Sequence, residues 1–432
     1  MSRPSPAPVY LDYNATTPLA PEVTSSISES LHVWGNPSSG YRTGHVAKTV
    51  VEEARSKVAN MIGSSPDEVT FTSGGTEANH LAIWTALAHY RTSLDNNSQE
   101  ELSTCPQPRN TSPCHPSSTN VPHIVTSNIE HPAISAPLKM MESQGWCRVS
   151  MVPVIPGTGR WSVQNVLDAI TLDTCLITMM LANNETGILQ PVSELFSQVK
   201  KNPPKTRCQI LLHSDVAQAI GKIGVNVNEL QADMITVVGH KFYGPRIGCL
   251  YHRDGVKMTP MFYGGGQESG TRPGTENTPM IAGFGVACQL VTDNLEKYST
   301  HMKTTRDYLR DQLIRNFKLI NSDEPKRLRL GEVCWRYIDR FMLPNTLSVR
   351  FGGFTGPELL SLCQDDIEAS CGAACHTGAG VSQVLVNSFL WGPEGAAETV
   401  RLSVGRDTST KDVDRVVSAF ISAVETKKSR QS

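Results

Sequence analysis

Lys241 stands in Met234-Ile-Thr-Val-Val-Gly-His-Lys-Phe-Tyr-Gly-Pro-Arg-Ile-Gly-Cys-Leu-Tyr251, where two apolar or β-branched runs flank a turn rich in glycine and proline. The runs predict buried strands over 234–238 and 247–251, which puts Lys241 just past a strand end. Shielded from water there, and beside His240, its ammonium form is disfavoured and a nucleophilic neutral amine becomes accessible. Such an amine captures an aldehyde as a Schiff base. Ser73-Gly-Gly75 followed by Thr76 offers a second chemistry, because it joins a strand expected over 69–72 to a helix expected over 76–90. Glycines at that junction let backbone N–H groups approach an anion, and the helix N-terminus adds partial positive charge. A third candidate is Cys375 in Ser370-Cys-Gly-Ala-Ala-Cys-His-Thr377, where small residues leave a thiol uncrowded on a loop.

The elements that must position these groups follow the same pattern. A strand over 123–127 precedes His131, one over 174–182 delivers Asn183 to Gly187, and one over 209–213 delivers Ser214 to Gln218. Polar groups that repeatedly follow strand ends indicate ligand binding at the carboxyl edge of an open α/β sheet. Helical patterns run from Pro279 to Phe317 and include a long charged helix suited to linking two domains.

At 432 residues and 39% hydrophobic, the chain can bury one large core and a second smaller one. The expected division is an N-terminal segment 1–19 that joins the small domain, a large domain 20–294 and a small domain 295–432. Residues 92–122, rich in Ser, Thr, Asn and Pro, read as a flexible insertion. A net charge of −2 gives no long-range attraction for nucleic acid or an anionic membrane. Eleven cysteines without paired spacing or a signal peptide imply free thiols in a reducing compartment, and the cytosol is expected. No apolar run approaches the ~20 residues of a membrane span. Cys105, Cys114 and His115 lack a fourth ligand and suitable spacing, so no metal site is expected.

Gly239-His-Lys-Phe-Tyr-Gly-Pro245, Thr72-Ser-Gly-Gly-Thr-Glu-Ala-Asn79, Ser127-Asn-Ile-Glu-His131 and the Cys375 loop together resemble segments of the cysteine desulfurase and selenocysteine lyase family. The similarity runs from Leu11 to Arg406, broken mainly by the polar insertion and by 323–343. It implies an aspartate aminotransferase-like fold, the type I fold of pyridoxal-phosphate enzymes. That fold has a large domain with a mainly parallel sheet flanked by helices, plus a smaller α+β domain. It also implies pyridoxal 5′-phosphate on Lys241 and a homodimer.

By the same resemblance, His131 stacks on the cofactor ring and Asp215 faces its pyridine nitrogen, keeping it protonated and electron-withdrawing. Gln218 donates to the phenolic oxygen, and Asn184 supports that oxygen or the substrate. Gly75, Thr76 and His240 hold the phosphate, and Thr275 reaches the phosphate of the neighbouring subunit. Arg401, favoured over Arg406, holds the substrate carboxylate through a bidentate pair. Cys375 is the implied catalytic thiol. Cys371 falls where many relatives have serine, and its pairing with Cys375 through a disulfide or zinc stays open. Where many relatives carry a phosphate-binding serine, this chain has Val238, so anchoring leans on Thr76, His240 and Thr275.

The lysine motif, the cysteine loop, the insertion and the absence of a transit peptide favour the selenocysteine lyase branch. The implied reaction takes L-selenocysteine to L-alanine and reduced selenium, for which an acceptor protein is a possible partner. A cysteine desulfurase is the alternative.

Overall fold

The computed structural model describes residues 7–101, 120–320, 328–334, 339–371 and 381–431. Seven strands form the central sheet in the order Val69–Thr72, Gly248–His252, Met234–Val238, Leu211–Asp215, Thr174–Thr178, His123–Ser127 and Arg148–Val152. Gly248–His252 runs antiparallel to both neighbours and the other pairings are parallel. Both faces of the sheet are covered, so its strands are near-continuous apolar runs instead of alternating ones.

On one face Ile235, Val237 and Cys249 join a core with Val58, Ile62 and Phe284 from the helices Arg42–Ile62 and Thr278–Asn316. On the other, Met234 and Leu250 pack with Leu81, Leu87, Ile134 and Leu138 from the helices Gly75–Glu101 and Pro132–Ser143.

A second, five-stranded sheet has the order Lys318–Leu319, Glu332–Cys334, Thr346–Phe351, Thr399–Ser403 and Ser370–Cys371. It is antiparallel except for its first pair. Leu347 and Phe351 of this sheet pack on Phe420 of the last helix, Thr410–Gln431, and on Leu309 of the helix Thr278–Asn316. That 39-residue helix therefore carries side chains in both cores.

The N-terminal segment crosses between the two cores. Val9–Tyr10 pairs in parallel with Ile367–Glu368, and Asp12 bridges to Ser403. Leu11 is buried in the second core and Tyr13 in the first. Residues 12–17 are thereby held over the carboxyl edge of the large sheet.

The stretch expected to be a flexible insertion begins as helix, since the helix Gly75–Glu101 runs well beyond Tyr90. Its part from Gly75 to Tyr90 buries Ala78, Leu81, Ala82, Ile83, Ala86, Leu87 and Tyr90. Once that core-anchored part is nucleated, each further helical residue adds a hydrogen bond at small cost, even in polar sequence. Residues 102–119, with Cys105, Cys114 and His115, lie outside the described residues. Asp215 ends its strand instead of following it, because the strand lies two residues later than the apolar run suggests.

Candidate active site

Lys241 closes a short 3-10 turn, Gly239–Lys241, directly after the strand Met234–Val238. Its Nζ donates to the carbonyl oxygens of Asn14 at 2.9 Å and Ala15 at 2.7 Å. The turn is clamped by the N-terminal segment. Thr17 donates from its N–H to the His240 carbonyl at 2.9 Å, and the Tyr243 N–H donates to Thr17 Oγ1 at 2.6 Å. Tyr243 takes a left-handed φ of 65°, an unusual conformation for a bulky residue, which these contacts sustain.

Asp215 is buried at the end of the next strand. One carboxylate oxygen accepts from Asn79 Nδ2 at 2.9 Å and the other from the Ala217 N–H at 3.0 Å. Gln218 donates through Nε2 to the Asn14 carbonyl at 3.0 Å, the same oxygen that Lys241 uses. Asn184 presents its carbonyl to Arg401 Nη1 at 2.9 Å and to Asn14 Nδ2 at 3.2 Å. Arg401 is buried, pairs with Asp12 through Nη2, and keeps an Nε with no hydrogen-bond partner. Arg406 is occupied elsewhere, with its guanidinium 3.8 Å from the centroid of the Tyr243 ring. The structure thus gathers Lys241, His240, Gln218, Asn184 and Arg401 around residues 12–17.

His131 caps the helix Pro132–Ser143, its Nδ1 accepting from the Ala133 N–H at 3.1 Å. It is near enough to His240 to act on that ring's charge. Gly75 and Thr76 open the helix Gly75–Glu101 beside Lys241's strand, for a Cβ on Gly75 would lie 2.6 Å from Val238 Cγ2. Only glycine allows that backbone to press against Val238.

Thr275 is not part of this cluster. It is exposed on the loop before the helix Thr278–Asn316, in a cleft with Ser73, Arg246 and Arg272. Cys375 and its neighbour His376 lie outside the described residues. Ser382, which follows them and caps the helix Gln383–Ser388, donates to Glu185 Oε2 at 2.5 Å.

Burial, then the charges of Lys241 and Arg246, push the His240 imidazole down to about 4. His240 is therefore neutral at pH 7 and does not oppose an ammonium on Lys241 by charge, contrary to the expectation from sequence. A cation that faces Lys241 is Lys222, whose Nζ donates to Gln218 Oε1 at 3.2 Å. Beneath His131, Glu130 is fully buried, and burial raises its carboxyl to about 8 despite bonds from Ser127 and the Met180 N–H.

Sequence reasoning passed over Asn79, Asn14, Asp12, Lys222 and Glu130. Lys222 had a signal, being a charged residue in an apolar stretch four positions after Gln218. Cys175, Cys249 and Cys288 are fully buried with thiols pushed up by burial, which leaves them poor nucleophiles.

The donor set fits pyridoxal phosphate. Lys222, Lys241 and Arg401 bring three basic groups to one place, with the Asp12 carboxylate on Arg401. Among the described residues, Arg401 Nε is a buried donor without a partner, as expected of a site built for an anionic guest.

The sequence profile of the family described as aminotransferase class-V matches residues 9–96 and 115–416. A selenocysteine lyase of Xenopus tropicalis is 43% identical over 95% of this chain and 92% of its own. The selenocysteine lyase of Homo sapiens is 42% identical over 96% and 92%. A cysteine desulfurase IscS of Rickettsia massiliae is 32% identical over 97% and 91%. Among solved structures, a NifS-like protein superposes with a TM-score of 0.79 at 29% identity, covering 97% of this chain and all of that one (100%). With its mainly parallel sheet this is the type I fold, and the chain belongs to the aminotransferase class-V family of pyridoxal-phosphate-dependent enzymes.

Proposed function

We infer that this protein is a selenocysteine lyase that converts L-selenocysteine to L-alanine and selenium, released at the zero-valent level or, with two electrons from a thiol reductant, as selenide. The observation that carries this is the 43% identity to a selenocysteine lyase along 95% of the chain, against 32% to a cysteine desulfurase of similar coverage. Bound pyridoxal phosphate supplies an aldehyde for an amine and a ring that draws electrons from the substrate α-carbon.

The residue roles are proposed from the family resemblance, and the geometry supports those of Lys241, Asp215, Gln218 and Arg401. Lys241 would hold the aldehyde and, once the substrate amine has replaced it, would be placed to move the α-proton. Asp215, oriented by Asn79, holds the proton on the ring nitrogen. Gln218 donates to the phenolic oxygen, and His131 covers the ring. Gly75, Thr76 and neutral His240 donate to the phosphate. Arg401, with Asn184 beside it, takes the substrate carboxylate through its unpartnered Nε edge, a role supported by Arg406 being stacked on Tyr243. Cys375 meets the selenium, attacking it or protonating it as it leaves.

We also propose a homodimer in which Thr275 serves the partner's phosphate. The loops around Trp34 and Tyr263 support it. These residues are 78% and 85% exposed, and both loops continue into one cleft lined by Pro37, Ser38, Gly266 and Thr271. Large exposed aromatics of this kind mark contact surfaces. Cytosolic location, a selenium acceptor protein and the domain division 1–19, 20–294 and 295–432 are proposed on the same footing. No helix among the described residues is long and apolar enough to cross a membrane.

Alanine formation from L-selenocysteine and L-cysteine, measured in parallel on wild type and Cys375→Ala, tests the reading. The Se–Cβ bond is weaker than the S–Cβ bond, so the variant should lose alanine formation from cysteine and keep part of it from selenocysteine. Wild-type preference for cysteine would assign the protein to the desulfurases.

A further inference from the structure

Lys222 is 3% exposed and, among the described residues, has no carboxylate within ion-pair distance. Its Nζ spends two donors on one residue, reaching Gln218 Oε1 at 3.2 Å and the Gln218 carbonyl at 3.0 Å. With Oε1 turned to Lys222, the NH2 edge of the same carboxamide faces the other way, to the Asn14 oxygen shared with Lys241. A carboxamide can flip, but the flipped form would set NH2 against the ammonium and Oε1 against a carbonyl. Both contacts are repulsive, so one orientation is enforced.

We propose that Lys222 is a positioning residue of the active site, fixing the Gln218 carboxamide so that its N–H donors point at the cofactor's phenolic oxygen. This rests on the pyridoxal-phosphate reading and adds to it a residue that touches neither cofactor nor substrate. Lysine suits the task because an ammonium only donates, so it cannot stabilise the wrong orientation. The charged groups facing it are Lys241 and Arg401, with His240 nearby and neutral, Asp12 engaged by Arg401 and Asp215 by Asn79. Burial, then Lys241 and Arg401, brings Lys222 down to about 7. An anion held at Gln218 favours its protonated form, so the bound cofactor and the ammonium support each other.

A purely structural lysine, pinning the Gln218 carbonyl, would affect stability but not the electronics of the cofactor. The visible absorbance of the purified holoenzyme, titrated with pH, separates the two. Losing an oriented donor and a nearby cation makes the protonated lysine-bound chromophore easier to keep. The transition midpoint of Lys222→Met should therefore rise by about one pH unit or more. Gln218→Leu should move it in the same direction, and the double variant should shift by less than the sum, since one residue acts through the other. Lys222→Gln, with the same shift expected, serves if the methionine variant does not fold. An unchanged midpoint or an additive double variant overturns the proposal while leaving the cofactor reading intact. A wild type without a visible band overturns both.

Discussion

Lys241 and Gln218 meet at a single atom, the carbonyl oxygen of Asn14, which accepts from Lys241 Nζ at 2.9 Å and Gln218 Nε2 at 3.0 Å. Asn14 is buried on the segment that leaves the small sheet, and its own side chain holds that segment in place. Nδ2 donates to the Asn184 carbonyl at 3.2 Å and to Thr346 Oγ1 at 2.8 Å, while Oδ1 accepts from Asn345 Nδ2 at 3.0 Å. Asn14→Ala removes these three bonds while each partner keeps another contact, for Asn184 still accepts from Arg401, Asn345 still donates to Val404 and Thr346 still donates to Asn345, so each lost bond costs about 0.5–1.5 kcal/mol. The variant should melt at a lower temperature and shed cofactor on gel filtration although Lys241 is intact. An unaltered melt and full cofactor retention would remove Asn14 from this role.

Asp215 should separate cofactor binding from turnover. Its carboxylate is placed by Asn79 and by the Ala217 N–H, and a carboxylate so held is a counter-charge for a ring nitrogen. Asp215→Ala should keep the visible band, because Lys241 still reacts, and lose about 100-fold or more in alanine formation. Asn79→Ala should lose less, since the Ala217 contact remains. Near-normal turnover of Asp215→Ala would refute its place in the site.

Glu130 gives the fold a dependence on pH. Burial raises its carboxyl from 4.5 to about 8, so between those values the folded protein holds a proton that the unfolded chain releases. Its stabilising contribution is complete below about pH 4.5 and is lost as pH rises through about 8. Glutamine mimics the protonated form at every pH. Glu130→Gln should therefore match wild type in melting temperature at pH 5 and exceed it at pH 9. Parallel melting curves across that range would show that Glu130 is ionised in the fold.

What was legible in the sequence was local. The strand Met234–Val238 and the turn that places Lys241 after it are encoded within a few residues, as is the glycine junction before Thr76. The relation between Asn14 and Lys241 spans 227 positions and that between Asn79 and Asp215 spans 136, so no window contains them. His240 was misjudged for a related reason. Its neighbour in sequence is Lys241, but its charge is set by burial, and the cation that faces the lysine comes from Lys222 on another loop. The helix Gly75–Glu101 outran its polar sequence because its core-facing start pays the nucleation cost for the whole.

Asp12 and Arg401 yield a prediction about binding. Asp12 holds the Nη2 end of the guanidinium and the Asn184 carbonyl holds Nη1, leaving Nε buried without a partner among the described residues. A carboxylate that binds in bidentate fashion through Nε and Nη2 must share Nη2 with Asp12 or displace it. Asp12→Asn removes the competing charge and leaves a buried cation poorly compensated, so the free variant should melt below wild type. An added carboxylate ligand then relieves more strain in the variant than in wild type. L-alanine, the product, should raise the melting temperature of Asp12→Asn by more than that of the parent, and Arg401→Lys, which lacks the fork, should respond least. A smaller response in Asp12→Asn than in wild type would mean that Asp12 supports the arginine in its ligand-bound form and does not compete for it.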